Sequence, residues 1–411
     1  MGLAQSAVPG SSSATQETLG VYVSVPFCRA KCSFCNFASG VGSAAAIDRY
    51  IARLCDEMRH LSAWTALQQA FLPRVADTVY LGGGTPSLLS AVQLRAIFAG
   101  LREQFAMTAD AEITLEAAPG QIADELLQEA LRCGVSRVSL GVQSFVDKEA
   151  AAVGRAHTGD SCVREIARLR SAGIAEVGID LIAGLPHQTA ASWQYSLERA
   201  VDSGATHLSV YMLEVDEDSR LGLEVLAGGT RYHAHATPDA DLSAEMYDVA
   251  CEWLAEHFAQ YEISNFARVD HSRSHVSRHN RKYWERAPYV GLGLDAHSML
   301  QLEGRRAIRW ANASELLAYE RKRSEREVTL IDADAAFEET LFLGLRMNEG
   351  ICVADLRAGF GQQRVAVAEQ AVHEMAAGGV MLAQQGRWRL TARGRAVSNE
   401  VFERLLVEAV A

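Results

Sequence analysis

Between residues 19 and 215 two hydrophobic patterns alternate along the chain. Short runs rich in Val, Ile and Leu, four to eight residues long, read as strands. They lie at 21–25, 78–81, 112–116, 135–142, 177–182 and 207–213. Between them, apolar residues recur every three or four positions, as on one face of a helix. The clearest case is 44–69, where Ile47, Tyr50, Ile51, Leu54, Met58 and Leu61 share a stripe. Shorter helices are predicted around 94–105, 126–131, 162–169 and 193–201. Strict strand–helix alternation implies a parallel sheet with crossover helices. Six units are too few for a closed eight-fold barrel, so the expected fold is α/β, an open, partial (β/α)6 barrel. Ligands in such folds collect at the C-terminal ends of the strands.

Past residue 214 the alternation fails. Residues 216–240 are charged and Gly-rich, 242–258 reads as an amphipathic helix and 261–266 as an edge strand. The stretch 271–284 is polar and His-rich, with His271, His275 and His279 at i, i+4 and i+8; its Ser and Arg neighbours suggest a solvated segment, not a metal site. From about 328 two helices (335–345, 365–377) and a hairpin (380–390) suggest a smaller, helical, winged-helix-like domain. The expected organisation is a disordered tail over 1–19, the barrel with its extension over 20–327, and the small domain over 328–411.

The strand ends carry the unusual residues. After the first strand come Pro26-Phe27-Cys28-Arg29-Ala-Lys31-Cys32-Ser-Phe34-Cys35, three thiols spaced C-x3-C-x2-C. Thiolates are soft ligands for iron–sulfur clusters, zinc or copper(I). Three cysteines on a four-iron cube leave one iron open. An apolar helical stripe would share the i, i+4, i+7 spacing, but the preceding strand, Pro26, Arg29 and Lys31 describe a loop. Structural zinc would want a fourth Cys or His, and none follows within twenty residues of Cys35. The second strand ends in Gly82-Gly83-Gly84-Thr85-Pro86, which lacks the Lys-Ser/Thr of a P-loop. Its glycines allow backbone to approach a ligand, or merely a tight turn. Glu116, Gln143, Asp180 and Glu214 stand at the remaining strand ends.

Composition narrows the classes. With 411 residues, 49% of them hydrophobic, the chain can bury a large core. A net charge of −12 argues against nucleic acid as a partner. No apolar run approaches the ~20 residues of a membrane span. The first twenty residues have neither the cationic start nor the apolar core of a signal peptide; Met1-Gly2 to Ser6 fits a myristoylation pattern, with no polybasic stretch after it. Eight cysteines in so long a chain are no disulfide scaffold, and Cys55, Cys133, Cys162, Cys251 and Cys352 are scattered singly, as packing residues are. A cytoplasmic location is the expectation.

C-x3-C-x2-C with Phe34 before the third cysteine resembles the signature of the radical S-adenosylmethionine (SAM) superfamily. The resemblance implies a 4Fe-4S cluster on Cys28, Cys32 and Cys35, with SAM on the open iron as source of a 5′-deoxyadenosyl radical. Pro26-Phe27-Cys28, 81–87, 141–145, Gly154-Arg155-Ala-His157 and 180–186 are similar to the oxygen-independent coproporphyrinogen III dehydrogenase family. On matching positions it implies SAM contacts from Tyr22, Phe34, Gly83, Gly84, Thr85, Glu116, Gln143, Arg155 and Asp180; Thr85, Gln143, Arg155 and Asp180 serve a second SAM in the dehydrogenases. Phe37 stands where those enzymes carry another cysteine, and His279-Asn280-Arg-Lys-Tyr283-Trp284 matches a motif of the HemW-like haem-chaperone branch. Asn36 replaces that branch's usual Asp. The branch implies haem, acceptor haemoproteins and an electron donor such as a flavodoxin or ferredoxin as partners. It makes His279, Asn280, Tyr283 and Trp284 haem candidates, unless their loop merely anchors itself to the barrel. No catalytic residue is assured. Two enzymatic alternatives stay open: decarboxylation of coproporphyrinogen III, and radical opening of the haem ring.

Overall fold

The computed structural model describes residues 17–321 and 326–410. The expected tail therefore falls mostly outside the described residues, and β1 already begins at Leu19.

Six strands, β1 (Leu19–Val25), β2 (Val75–Gly83), β3 (Ala106–Ala117), β4 (Arg137–Gln143), β5 (Glu176–Ala183) and β6 (His207–Met212), pair in sequence order, all parallel. Helices Ala44–Leu67, Ala91–Gln104, Asp124–Cys133, Gly159–Ser171 and Ala190–Asp202 make the crossovers. Ser43, Ser90, Thr158 and Thr189 cap four of them with a side-chain oxygen, which fixes where each begins. The expected open half-barrel is what the chain forms.

Alternation along each strand divides the residues between two faces. Val21, Val23 and Val25, Val79 and Leu81, Ile113 and Leu115, Val138 and Leu140, Ile179 and Leu181, Leu208 and Val210 are buried in the core beneath the helices. Each such side chain stabilises the fold by roughly 1.5–3 kcal/mol on burial. The alternate positions, among them Tyr80, Thr114, Glu116, Ser139, Asp180, Ser209 and Tyr211, line the concave side. The half-barrel is dry outside its sheet and polar within.

Six further strands widen the sheet to twelve. β7 (Phe258–Gln260) and β8 (Asn265–Arg268) extend it antiparallel beyond β6. β9 (Tyr289–Leu292) lies parallel to β1, and β10 (His297–Gln301), β11 (Ala307–Ala311) and β12 (Glu327–Ile331) follow antiparallel. The edge strand expected over 261–266 is displaced: Tyr261 to Ser264 form a turn, because the fully buried Glu262 carboxylate accepts from Ser264 N (3.1 Å) and from Asn265 Nδ2. The helix expected over 242–258 is Ala240–Leu254, and Phe258 lies on β7.

A second core is built on helices Ala333–Arg346, Val353–Phe360, Gln362–Ala377 and Ser398–Val410, with a small sheet of β13 (Ile351–Cys352), β14 (Met381–Gln384) and β15 (Arg387–Leu390). β12 belongs to the large sheet, so the expected break at 327/328 falls inside that strand. A buried ion pair, Arg286 Nε to Glu339 Oε2 (2.9 Å), joins the two parts.

The segment 271–284 is not the solvated stretch expected. His271 is exposed, but His275, Ser277 and His279 are buried, and Arg278–Trp284 is a short helix beneath the lower ends of the strands. Two acidic residues, one within β3 and one at the start of β5, draw it in. Glu112 on β3 accepts from Arg278 N (3.1 Å), His279 N (3.0 Å) and Ser277 Oγ. Glu176 on β5 faces His275 Nδ1 (2.7 Å), and Arg137 on β4 donates to the His275 carbonyl (2.9 Å). The floor of the half-barrel is closed by this plug.

Candidate functional site: a cysteine loop over two adjoining cavities

The loop after β1 turns back at once: Phe27 bridges Gly40, and Cys28 N donates to the Gly40 carbonyl (2.9 Å). All three thiols are half-buried, and each has a polar neighbour. Thr85 Oγ1 donates to Cys28 Sγ (3.4 Å), Arg155 Nη1 to Cys32 Sγ (3.6 Å), and Ser39 Oγ lies 3.9 Å from Cys35 Sγ. Burial pushes the Cys32 thiol up while Arg155 opposes it, and Cys35 and Cys28 add to the rise. Among the described residues no three His, Cys, Asp or Glu side chains converge as a single-ion site requires. A cubane makes no such demand, since each thiolate takes a different iron. Half-buried thiols with donors aimed at sulfur suit a cluster.

The glycine turn is explained by contacts. A Cβ on Gly84 would sit 2.6 Å from the Val25 carbonyl and 2.8 Å from Phe27 N, so the turn lies directly on the cysteine loop's backbone. Thr85 N donates to the Phe27 carbonyl (2.8 Å). A Cβ on Gly82 would meet the Glu116 carboxyl at 2.9 Å. Gly83, at φ +93, donates its N–H to Glu116 Oε2 (3.2 Å), while Tyr80 Oη donates to Oε1 (2.8 Å).

Glu116 has its pKa pushed up to about 7 by burial, with the charge of Asp180 adding and the two hydrogen bonds opposing. Burial carries Asp180 to about 6 against hydrogen bonds from Ser209 and Ser139. Gln143 sits at φ +67 where β4 slips register against β5, a bulge that swings its side chain off the strand. Next to it Arg155 donates to the Gly141 carbonyl across the space a side chain at Gly141 would fill.

Two cavities share this end. The larger, about 410 Å³, is walled by Phe34, Cys35, Glu116, Gln143, Asp180 and Asn280 among the expected site residues. The smaller, about 290 Å³, holds Tyr22, Gly83 and Tyr283, with Tyr289 and His297. Phe37, 62% exposed, lines both. Thr85 and Arg155 turn to the thiols, and Gly84 lines neither cavity.

The haem motif is divided. His279 is 1% exposed, with Nδ1 2.8 Å from Thr78 Oγ1, Nε2 2.9 Å from Tyr283 Oη, and its ring stacked on Tyr80 at 5.3 Å. Burial drives its pKa down to about 3, so the ring is neutral and both nitrogens are committed. It lines neither cavity and, so placed, has no nitrogen free for iron. Trp284 carries the Arg346 guanidinium 4.4 Å over its ring and thereby docks the small unit. Sequence reasoning missed Tyr80, Thr114, Arg137, Ser139, His207, Ser209 and Tyr211 as cavity wall. Their signal was there: polar residues at every second position of strands otherwise Val, Ile and Leu.

Comparison with known proteins fits this geometry. The model of the radical SAM superfamily matches residues 22–200, and that of the HemN C-terminal domain matches 331–397. A Lactococcus lactis protein named "Heme chaperone HemW" is 30% identical over 96% of this chain and 99% of its own. A Mycobacterium tuberculosis protein of the same name is 30% identical over 97% of each chain. Mouse "Radical S-adenosyl methionine domain-containing protein 1, mitochondrial" is 30% identical over 97% of this chain and 89% of its own. The solved structure of coproporphyrinogen III oxidase (HemN) from Escherichia coli superposes with a TM-score of 0.79 at 23% identity, over 95% of this chain and 90% of that one. The chain belongs to the radical SAM superfamily and, within it, to the family of the HemW proteins. That superfamily implies a 4Fe-4S cluster and SAM.

Proposed function

We propose that this protein is a haem chaperone on a radical SAM scaffold, which binds haem and delivers it to acceptor haemoproteins. The observation that carries the reading is the full-length similarity, at 30% identity, to proteins named for that role. Cys28, Cys32 and Cys35 would hold the cluster, with Thr85 and Arg155 donating to two of the sulfurs. Glu116, fixed by Tyr80 and Gly83, would take the SAM amine, with Tyr22, Phe34 and Gly83 beside it; Gln143 and Asp180 are left for whatever fills the rest of the larger cavity. When bound, the cluster and SAM supply one-electron chemistry; the chain's part is to orient them and shield them from water. Phe37 supports this reading against the dehydrogenase, because it gives no fourth thiol beside the trio and stands as an apolar surface between the two cavities. Tyr283 and Asn280 remain proposed haem contacts as wall residues. A small redox protein such as a flavodoxin or ferredoxin is the proposed electron donor. The cytoplasm is the proposed compartment, consistent with eight free cysteines; no helix among the described residues is long and apolar enough to cross a membrane.

The test pairs two assays on anaerobically reconstituted protein. Haem should be taken up stoichiometrically and pass to an apo-haemoprotein, and incubation with reductant, SAM and coproporphyrinogen III should yield no protoporphyrinogen. Turnover at an enzymatic rate would replace the chaperone with the dehydrogenase.

A further inference from the structure

We infer that the floor of the larger cavity is a carboxylate subsite, built by Thr114 and Arg137, that receives a propionate arm of haem; this rests on the chaperone reading above. Thr114 and Arg137 are Cα partners across β3 and β4, one inward-facing layer below Glu116 and two below Asp180. Both line the cavity and both are buried, at 0% and 4% exposure. Each carries a polar atom with no partner: Thr114 Oγ1 and Arg137 Nη1. Buried donors of this kind are normally satisfied, and an orphaned guanidinium N–H is costly. The rest of Arg137 is held in place: Nη2 donates to the His275 and Val276 carbonyls, and Nε, which makes no hydrogen bond, is ion-paired with Glu112 at 3.4 Å from Oε2, leaving Nη1 with neither. The guanidinium is thus fixed in place with one nitrogen open.

The wall changes character with height. Ser139 and Ser209 continue the polar lining one and two layers above the orphaned pair, while Phe34, Phe37, Tyr211, Met212 and Leu213 bring aromatic and apolar surface to the same cavity from the cysteine loop and the end of β6. A ligand that matches has a flat apolar body and an anionic tip. Haem is such a molecule: an apolar macrocycle with two carboxylate arms. Glu116 and Asp180 lie between the floor and the mouth, but burial has already raised both towards the neutral form, which lessens their repulsion of an entering carboxylate. A second SAM, whose methionine end also bears a carboxylate, is the other source of the same group.

The experiment titrates the full-length reconstituted protein, before any SAM is added, with haem and with haem dimethyl ester, whose arms cannot ionise, and titrates SAM in a separate series. One charge-assisted hydrogen bond corresponds to roughly tenfold or more in affinity, so the ester should bind about tenfold more weakly than haem. Thr114→Val, which keeps shape and strand propensity, and Arg137→Lys should each narrow that ratio by weakening haem and leaving the ester unchanged. Equal binding of haem and ester by the wild type overturns the subsite while leaving the chaperone reading intact. Absence of uptake of either overturns both. If the variants weaken SAM instead of haem, the carboxylate belongs to SAM and the assignment to haem is wrong.

Discussion

Replacing His279 separates two roles that a haem-binding assay alone would confuse. Its ring is fully enclosed, and its two nitrogens serve the hydroxyls of Thr78 and Tyr283. A neutral imidazole uses one nitrogen as donor and the other as acceptor, and either hydroxyl can take the complementary part. His279→Ala would remove the ring from under Tyr80 and leave both hydroxyls without a partner. Large-to-small replacement in a core costs about 2–5 kcal/mol, and a stranded buried hydroxyl roughly 1–3 kcal/mol. Allowing for partial collapse, about 4 kcal/mol of stability should go. His279→Gln keeps a donor and an acceptor at the end of its chain and should lose no more than about 2 kcal/mol. Urea unfolding monitored by Trp fluorescence gives these figures, and a Soret titration gives haem uptake for the same samples. The expected result is that uptake follows stability: reduced in Ala, preserved in Gln. Loss of the haem spectrum in Gln at an unchanged unfolding midpoint would make the imidazole an iron ligand and refute the buttress.

Gly84→Ala should push the glycine turn off the cysteine loop, so anaerobic reconstitution should give less iron per chain with the far-ultraviolet spectrum intact; Gly40→Ala, whose Cβ would meet nothing within 4 Å, should reconstitute fully. Equal iron in both variants would remove the backbone contact as a cause. The raised pKa of Glu116 sets a pH dependence. A carboxyl at about 7 in the folded chain against 4.5 ordinarily keeps its proton in the folded state, so its contribution to stability falls as pH rises between those values. Asp180, at about 6, acts in the lower part of that window. From pH 6 to 7 the protein without SAM should therefore lose about 1 kcal/mol through Glu116 alone, since the folded carboxyl goes from mostly to half protonated over that interval, and Glu116→Gln should abolish that contribution. An identical slope in the variant would place the titration elsewhere.

The parts of the molecule that show in the sequence are those whose cause is local. The crossover helices carry their own caps and apolar stripes, the six inner strands their Val and Leu runs, and the cysteine trio its spacing. What stays hidden is caused at a distance. The segment 271–284 reads as solvated because its composition is polar, yet the carboxylate that buries it, Glu112, is 167 positions before His279. Thr78, which occupies one nitrogen of His279, is 201 positions away. β9 to β12 are only four or five residues each, too short for a period to declare itself, and they exist because β1 offers them an edge. The glycine turn was legible as a close approach, but Gly84 approaches the Phe27 backbone, which lies in another loop.

With the plug sealing one mouth of the half-barrel, its interior is a cul-de-sac. Cargo lodged at the proposed Thr114 subsite would have no way out through the plug and would enter and leave on the side where Phe34, Cys35 and Phe37 of the cysteine loop line the cavity. A guest lodged inside would stand between the innermost wall and the nucleotide arriving afterwards, which makes the sequence of loading matter: whatever enters first leaves last. Handover to an acceptor would then take place on the rim that carries the iron, so the state of the cluster and the release of cargo meet at one threshold.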